Sequence, residues 1–98
     1  MFNEILNLIL SLPSFNPYGL RFIDFNSKLQ CKINNKILVS SYTHQEETWS
    51  IQLLSRECHS NYEEFNYVDH KTFDYKPNII QLIITTNKLI TKYLQNEH

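Results

Sequence analysis

The spacing of apolar residues along this chain changes twice, and each change marks a different kind of element. Phe2, Ile5, Leu6, Ile9 and Leu12 recur at helical spacing, with Asn3, Glu4, Asn7 and Ser11 towards the opposite side. Pro13 disfavours helical geometry at Leu12, so the predicted helix ends there. Ser14 to Gly19, with Pro17 and the only Gly of the chain, reads as a turn-rich connection.

Strand patterns follow. Leu20 to Phe25 carries large apolar residues on both sides, as a strand covered on both faces would. Lys28 to Ile33 alternates cleanly, with Leu29, Cys31 and Ile33 on one face and Lys28, Gln30 and Lys32 on the other. Ile37 to Tyr42 continues the alternation through Ile37 and Val39. A three-residue loop, Asn34-Asn35-Lys36, pairs Ile33 with Ile37 and Cys31 with Val39. A two-residue Asn-Asn turn instead opposes Ile33 to Lys36. We expect the three-residue loop, with an Asn in the left-handed conformation.

Thr48 to Leu54 is the next predicted strand, with Trp49, Ile51 and Leu53 inward and a tight connection around Thr43 to Glu46. Residues 55–75 lose clear periodicity, and Phe65, Tyr67 and Val68 suggest a short edge strand. The last segment is helical again. Pro77 suits a first turn, and Ile79, Leu82, Ile83, Thr86, Ile90, Tyr93 and Leu94 form a broad apolar stripe, with Lys88 and Lys92 near its end. The expected fold is α+β, with an N-terminal helix, a three- to four-stranded antiparallel sheet and a C-terminal helix. Both helices should cover one face of the sheet. The 98 residues suit a single domain, 1–98.

Charge alters this picture in one place. Residues 42–75 hold seven acids (Glu46, Glu47, Glu57, Glu63, Glu64, Asp69, Asp74) against Arg56 and Lys71, whereas both flanks are net positive. Seven of the thirteen aromatics lie there too: Tyr42, Trp49, Tyr62, Phe65, Tyr67, Phe73 and Tyr75. Acids beside aromatics suit a surface that docks on a basic partner, charge steering the encounter and aromatics supplying anchors. The competing reading makes the acids a solvated rim and Trp49, Phe65 and Phe73 ordinary core.

Other chemistry is sparse. His44, Cys58, His59 and His70 are the candidate metal ligands, but no C-x-x-C or H-x-x-x-H spacing occurs, and adjacent Cys58 and His59 point to opposite faces of a strand. No metal or cofactor is expected. His44 with Glu46 or Glu47 could serve acid–base chemistry, and Cys58 with His59 or His70 could supply a thiol nucleophile. However, H-E-x-x-H, G-x-S-x-G and Gly-rich phosphate loops are absent, so the reading is non-enzymatic. A net charge of -1 argues against general nucleic-acid binding, for which Lys28, Lys32 and Lys36 are the only foothold. Those lysines read more simply as guards of an exposed sheet face. An exposed sheet edge also leaves room for a homodimer.

Ile5 to Leu12 follows Glu4 rather than Lys or Arg and is interrupted by Asn7, so we expect an amphipathic helix, no membrane span, and a cytoplasmic protein with reduced Cys31 and Cys58. With no Ala, one Gly, and eleven each of Asn and Ile, the composition is that of an AT-rich gene. In size, charge layout and composition the chain resembles small bacterial toxin-immunity proteins, of the contact-dependent inhibition or bacteriocin type. It is also similar to phage-encoded inhibitors of host defence. The resemblance implies a protein without activity of its own that occludes the basic site of a toxin domain, for example a nuclease. Glu46, Glu47, Glu63, Glu64 and Asp69 would supply the charge, and Tyr62 and Tyr67 the anchors.

Overall fold

The computed structural model describes residues 2–24 and 28–96. Seven elements follow in order: α1 (Phe2–Ser11), β1 (Arg21–Asp24), β2 (Lys28–Ile33), β3 (Lys36–Gln45), β4 (Thr48–Cys58), β5 (Glu63–Phe73) and α2 (Ile79–Gln95). The strands form one antiparallel meander in the order β1-β2-β3-β4-β5. The α+β class and the helix–sheet–helix order agree with the sequence, but the sheet has five strands rather than three or four. Phe25, expected at the end of the first strand, lies outside the described residues.

The extra order is in β4 and β5. Each is eleven residues long, and together they make a regular hairpin where periodicity had faded. β5 is an edge strand in which Phe73 alone is buried, so its sequence shows no apolar alternation. Its ladder to β4 holds it instead.

Two hairpin turns set the register. Ile33 pairs with Lys36, so Asn34-Asn35 is a two-residue loop, with φ of 51° and 67°. Positive φ at both central residues is the type I′ geometry that matches strand twist, and Asn tolerates it. This corrects the three-residue loop. The pairing moves by one residue, which swaps faces throughout β3: Cys31 meets Leu38 rather than Val39. Leu38 and Ser40 therefore face the helices, while Ile37 and Val39 lie on the opposite face. Glu46-Glu47 closes the next hairpin with φ of 49° and 66°, between Gln45 and Thr48.

One core cluster joins Leu6 of α1, Leu20, the sheet residues Leu29, Cys31, Leu38, Ile51, Leu53 and Phe73, and Leu82, Ile83, Leu89 and Ile90 of α2. Trp49 packs partly against it, as its inward placement predicts. α2 starts at a capping box: Asn78 accepts from the Gln81 N–H at 2.9 Å, and the Gln81 side chain accepts from the Asn78 N–H at 3.0 Å. At α1 the apolar stripe is only partly used. Leu6 is buried, but Ile5 and Leu12 of that stripe are 52% and 40% exposed. The ten-residue helix lies beside the start of β1, where Asn7 and Leu10 share a groove with Leu20 and Phe22.

Buried Asn16 fastens the connection between α1 and β1. Its Nδ2 donates to the carbonyls of Leu10 and Leu20 at 2.8 and 2.9 Å, and its Oδ1 accepts from the Leu20 N–H at 2.6 Å. No helix among the described residues is long and apolar enough to cross a membrane.

Candidate functional site

The register divides the sheet into two faces. Leu29, Ser40, Leu53 and Asp69 align across four strands on the helix-covered face. Gln30, Val39, Leu54 and Tyr67 align on the other. A bulge between Leu53 and Leu54 inserts Val68 into β5. Without it, Tyr67 and Asp69, two apart, would share a face. With it, Tyr67 points to the uncovered face and Asp69 to the helical one. There the Asp69 carboxylate accepts from Lys92 Nζ at 3.1 Å and from the His70 N–H at 2.8 Å. Those two donors, the His70 N–H first, hold the Asp69 carboxyl below its ordinary range.

The seven residues read from the sequence as one acidic–aromatic surface are thus distributed over three places. Glu46 and Glu47 form the β3–β4 turn. Tyr62, Glu63 and Glu64 stand at the β4–β5 turn, at the other end of the eleven-residue β4. At about 3.3 Å per residue these two ends are roughly 35 Å apart. Salt screens charges over about 8 Å at physiological ionic strength, so the two acidic ends act independently. Asp69 is engaged with α2 and lies apart from both.

The distal end of the β4–β5 hairpin carries the more concentrated surface. Tyr62, Phe65 and Tyr67 are 61%, 53% and 59% exposed, beside exposed Glu63 and Glu64. Phe65 is therefore surface, whereas Phe73 is core as the competing reading holds. The only sequence signal for Phe65 was its place beside Glu63 and Glu64. On the uncovered face, Arg56 Nη2 donates to Glu63 Oε1, which raises the Arg56 pKa further. Tyr67 Oη and His70 Nδ1 are hydrogen-bonded, so His70 has a phenol at its ring nitrogen rather than a carboxylate. His44 stacks on Trp49 with ring centroids 4.6 Å apart, far from the hairpin tip.

The Cys31 thiol is buried, which pushes its pKa up to about 11, while Cys58 is exposed. Of the three lysines weighed for nucleic acid, Lys28 and Lys32 lie on the uncovered face. Lys36 falls on the other and donates to Tyr93 Oη at 3.2 Å. A groove of about 430 Å³ between the 14–17 turn and α2 is lined by Phe15, Pro17, Ile84, Asn87 and Thr91, among others, with no acid or histidine. No protein-family model matches the chain, and no curated protein or solved structure is significantly similar to it.

Proposed function

We propose that this chain is a non-catalytic, protein-binding inhibitor, an immunity protein that acts in the cytoplasm on a basic toxin domain. Its contact surface is the distal β4–β5 hairpin. The partner would straddle the tip. Phe65, Tyr67 and Glu63 present one face of the hairpin, and Tyr62 and Glu64 the other. The aromatics would fill pockets of the partner, and the glutamates would meet cations in its substrate groove. The observation that carries this reading is the exposure of three large aromatics on one regular, hydrogen-bonded hairpin. Rigid aromatics lose little entropy on binding and dominate interface energetics. Glu46 and Glu47 are not part of this surface.

The test is co-expression with a basic toxin domain encoded beside the gene, reading growth rescue and heterodimer affinity. Y62A/Y67A and E63K/E64K should each weaken binding by at least about 30-fold, or roughly 2 kcal/mol. E46K/E47K should bind as the wild type does. Unchanged affinity in both tip variants would refute the surface. A phage inhibitor of host defence would use the same surface on a different basic target.

The uncovered sheet face favours a second reading, binding of single-stranded nucleic acid. Arg56 stands opposite Phe65 there, with Lys28 and Lys32 on β2 and Arg21 on the far edge strand β1 across the same face, and basic faces with aromatic platforms stack bases. A gel-shift titration at low salt separates the two. Binding that K28E/K32E abolishes supports the nucleic-acid reading, and a flat titration ends it.

A further inference from the structure

The hairpin tip holds a second arrangement, on the face away from Arg56 and Glu63. Glu57 and His59 leave β4 two residues apart, hence on one side, and Glu64 returns on β5 directly opposite Glu57. One ligand atom from each of the three lies within 4.8 Å of the others. The His59 ring is oriented by stacking on Tyr62, with centroids 4.4 Å apart and planes 21° from parallel. That stacking sets Nε2 3.2 Å from Glu64 Oε2. The frame beneath is closed by the His59 N–H donating to the Tyr62 carbonyl at 2.8 Å.

We propose that Glu57, His59 and Glu64 form a divalent-metal site suited to Zn²⁺, which clasps the two strands at the tip. Two glutamates directly opposite on a ladder repel each other, and a divalent cation between them turns that repulsion into attraction. Their two charges neutralise the ion. The imidazole selects zinc over calcium or magnesium, which prefer six or more oxygen ligands. Zn–N and Zn–O bonds of about 2.0–2.2 Å place tetrahedral ligands roughly 3.5 Å apart. Side-chain shifts of about 1 Å, at half-buried Glu57 and exposed His59 and Glu64, therefore complete the set. The fourth position stays open to water. Cys58 lies on the opposite face with Glu63, so it is not a ligand.

The test uses the full chain carrying C58S, which removes the exposed thiol as a competing zinc ligand, with Zn²⁺ alone as probe. Calorimetry should show one-to-one binding, Co²⁺ should give a visible ligand-field spectrum, and Zn²⁺ should raise the Tm. H59A and E57Q/E64Q should each weaken binding by more than about 100-fold, beyond what loss of an outer partner costs, and abolish the Tm rise. H44A, at the far end of the sheet, should leave all three readouts unchanged. Absence of saturable binding at millimolar Zn²⁺, or undiminished affinity in H59A, overturns the site. The measurement needs no protein partner, so its failure leaves the proposed docking surface standing, and failure of the docking surface leaves the metal site standing.

Discussion

Replacing Thr86 by Val removes one hydroxyl from the middle of the core, and its cost depends on what is left behind. Ser40 Oγ and Thr86 Oγ1 are 2.9 Å apart between β3 and α2, and Thr86 Oγ1 also donates to the Leu82 carbonyl at 2.7 Å. Both residues are buried, at 3% and 1% exposure, so neither hydroxyl can turn to solvent. In T86V the Ser40 hydroxyl is stranded. A buried polar group without a partner costs about 1–3 kcal/mol, so we expect T86V to destabilise by about 2 kcal/mol. In a domain of this size that lowers Tm by roughly 8–16 °C. S40A is milder, because the Thr86 proton keeps its acceptor on Leu82. We expect about 0.5–1 kcal/mol for the one lost hydrogen bond.

The double variant S40A/T86V carries the sharpest expectation. Both polar groups are gone and the volume at 86 is kept, so it should lie within about 0.5 kcal/mol of the wild type. It should therefore be more stable than T86V alone, with a coupling of about 2 kcal/mol. The assay is urea unfolding followed by far-UV circular dichroism, with midpoints compared at unchanged slope. If the two single costs simply add in the double variant, the hydroxyls are not each other's partners and the reasoning fails.

Other expectations have different signs. Ser55 Oγ is buried without a hydrogen-bond partner among the described residues, so S55A should stabilise by about 1 kcal/mol in the same assay, and a loss of that size would point to a missed partner. Glu46 and Glu47 occupy left-handed backbone that costs an L-residue roughly 1–2 kcal/mol, so E46N/E47G should raise stability by about 1 kcal/mol through the preferred type I′ pair; no gain would mean a different turn. Native protein at pH 8 should react with a thiol reagent at Cys58 alone, with Cys31 labelled only after denaturation; rapid double labelling would contradict the buried thiol. Asp69 has a lowered pKa in the folded state, so its contribution is present above about pH 4 and is lost as pH falls through the folded value. D69N should thus be less stable than wild type by up to about 1 kcal/mol at pH 7 and equal to it in strong acid; a gap independent of pH would refute the pairing with Lys92.

The fold is legible in the sequence wherever one face of an element is dry. α2 and β4 show this best: Leu82, Ile83, Thr86 and Ile90, and Ile51 and Leu53, are buried as their spacing predicts. β3 shows the limit. Ile37, Leu38 and Val39 are three apolar residues in a row, so alternation is compatible with either phase. The turn decides, and two asparagines in left-handed conformation select the two-residue loop. That single residue of register moves Ser40 into the core beside Thr86 and puts Val39 on the uncovered face. α1 shows the converse, since its clean stripe buries Leu6 while Ile5 and Leu12 remain exposed for lack of a layer above them.

The same geometry decides which candidate residues come together. A linear count of acids over residues 42–75 merges two hairpin ends that an extended β4 holds roughly 35 Å apart. A linear count also cannot see Val68, the bulge that sends Tyr67 and Asp69 to opposite faces. The spacing of Glu57 and His59 is, by contrast, readable: two residues apart on a strand share a side. What the sequence lacks is the partner strand. Glu64 joins that pair only because Glu57 and Glu64 stand opposite each other in the ladder. That pairing depends on where the β4–β5 turn closes, at His59 and Tyr62. A metal-ligand search restricted to short motifs along the chain misses such a site, because one ligand arrives across the sheet. Strand parity and cross-strand register together define both the exposed aromatics and the Glu57–His59–Glu64 cluster. A one-residue insertion in the 59–62 turn should therefore disrupt the metal site and the docking surface together, whereas E57Q should weaken only the first.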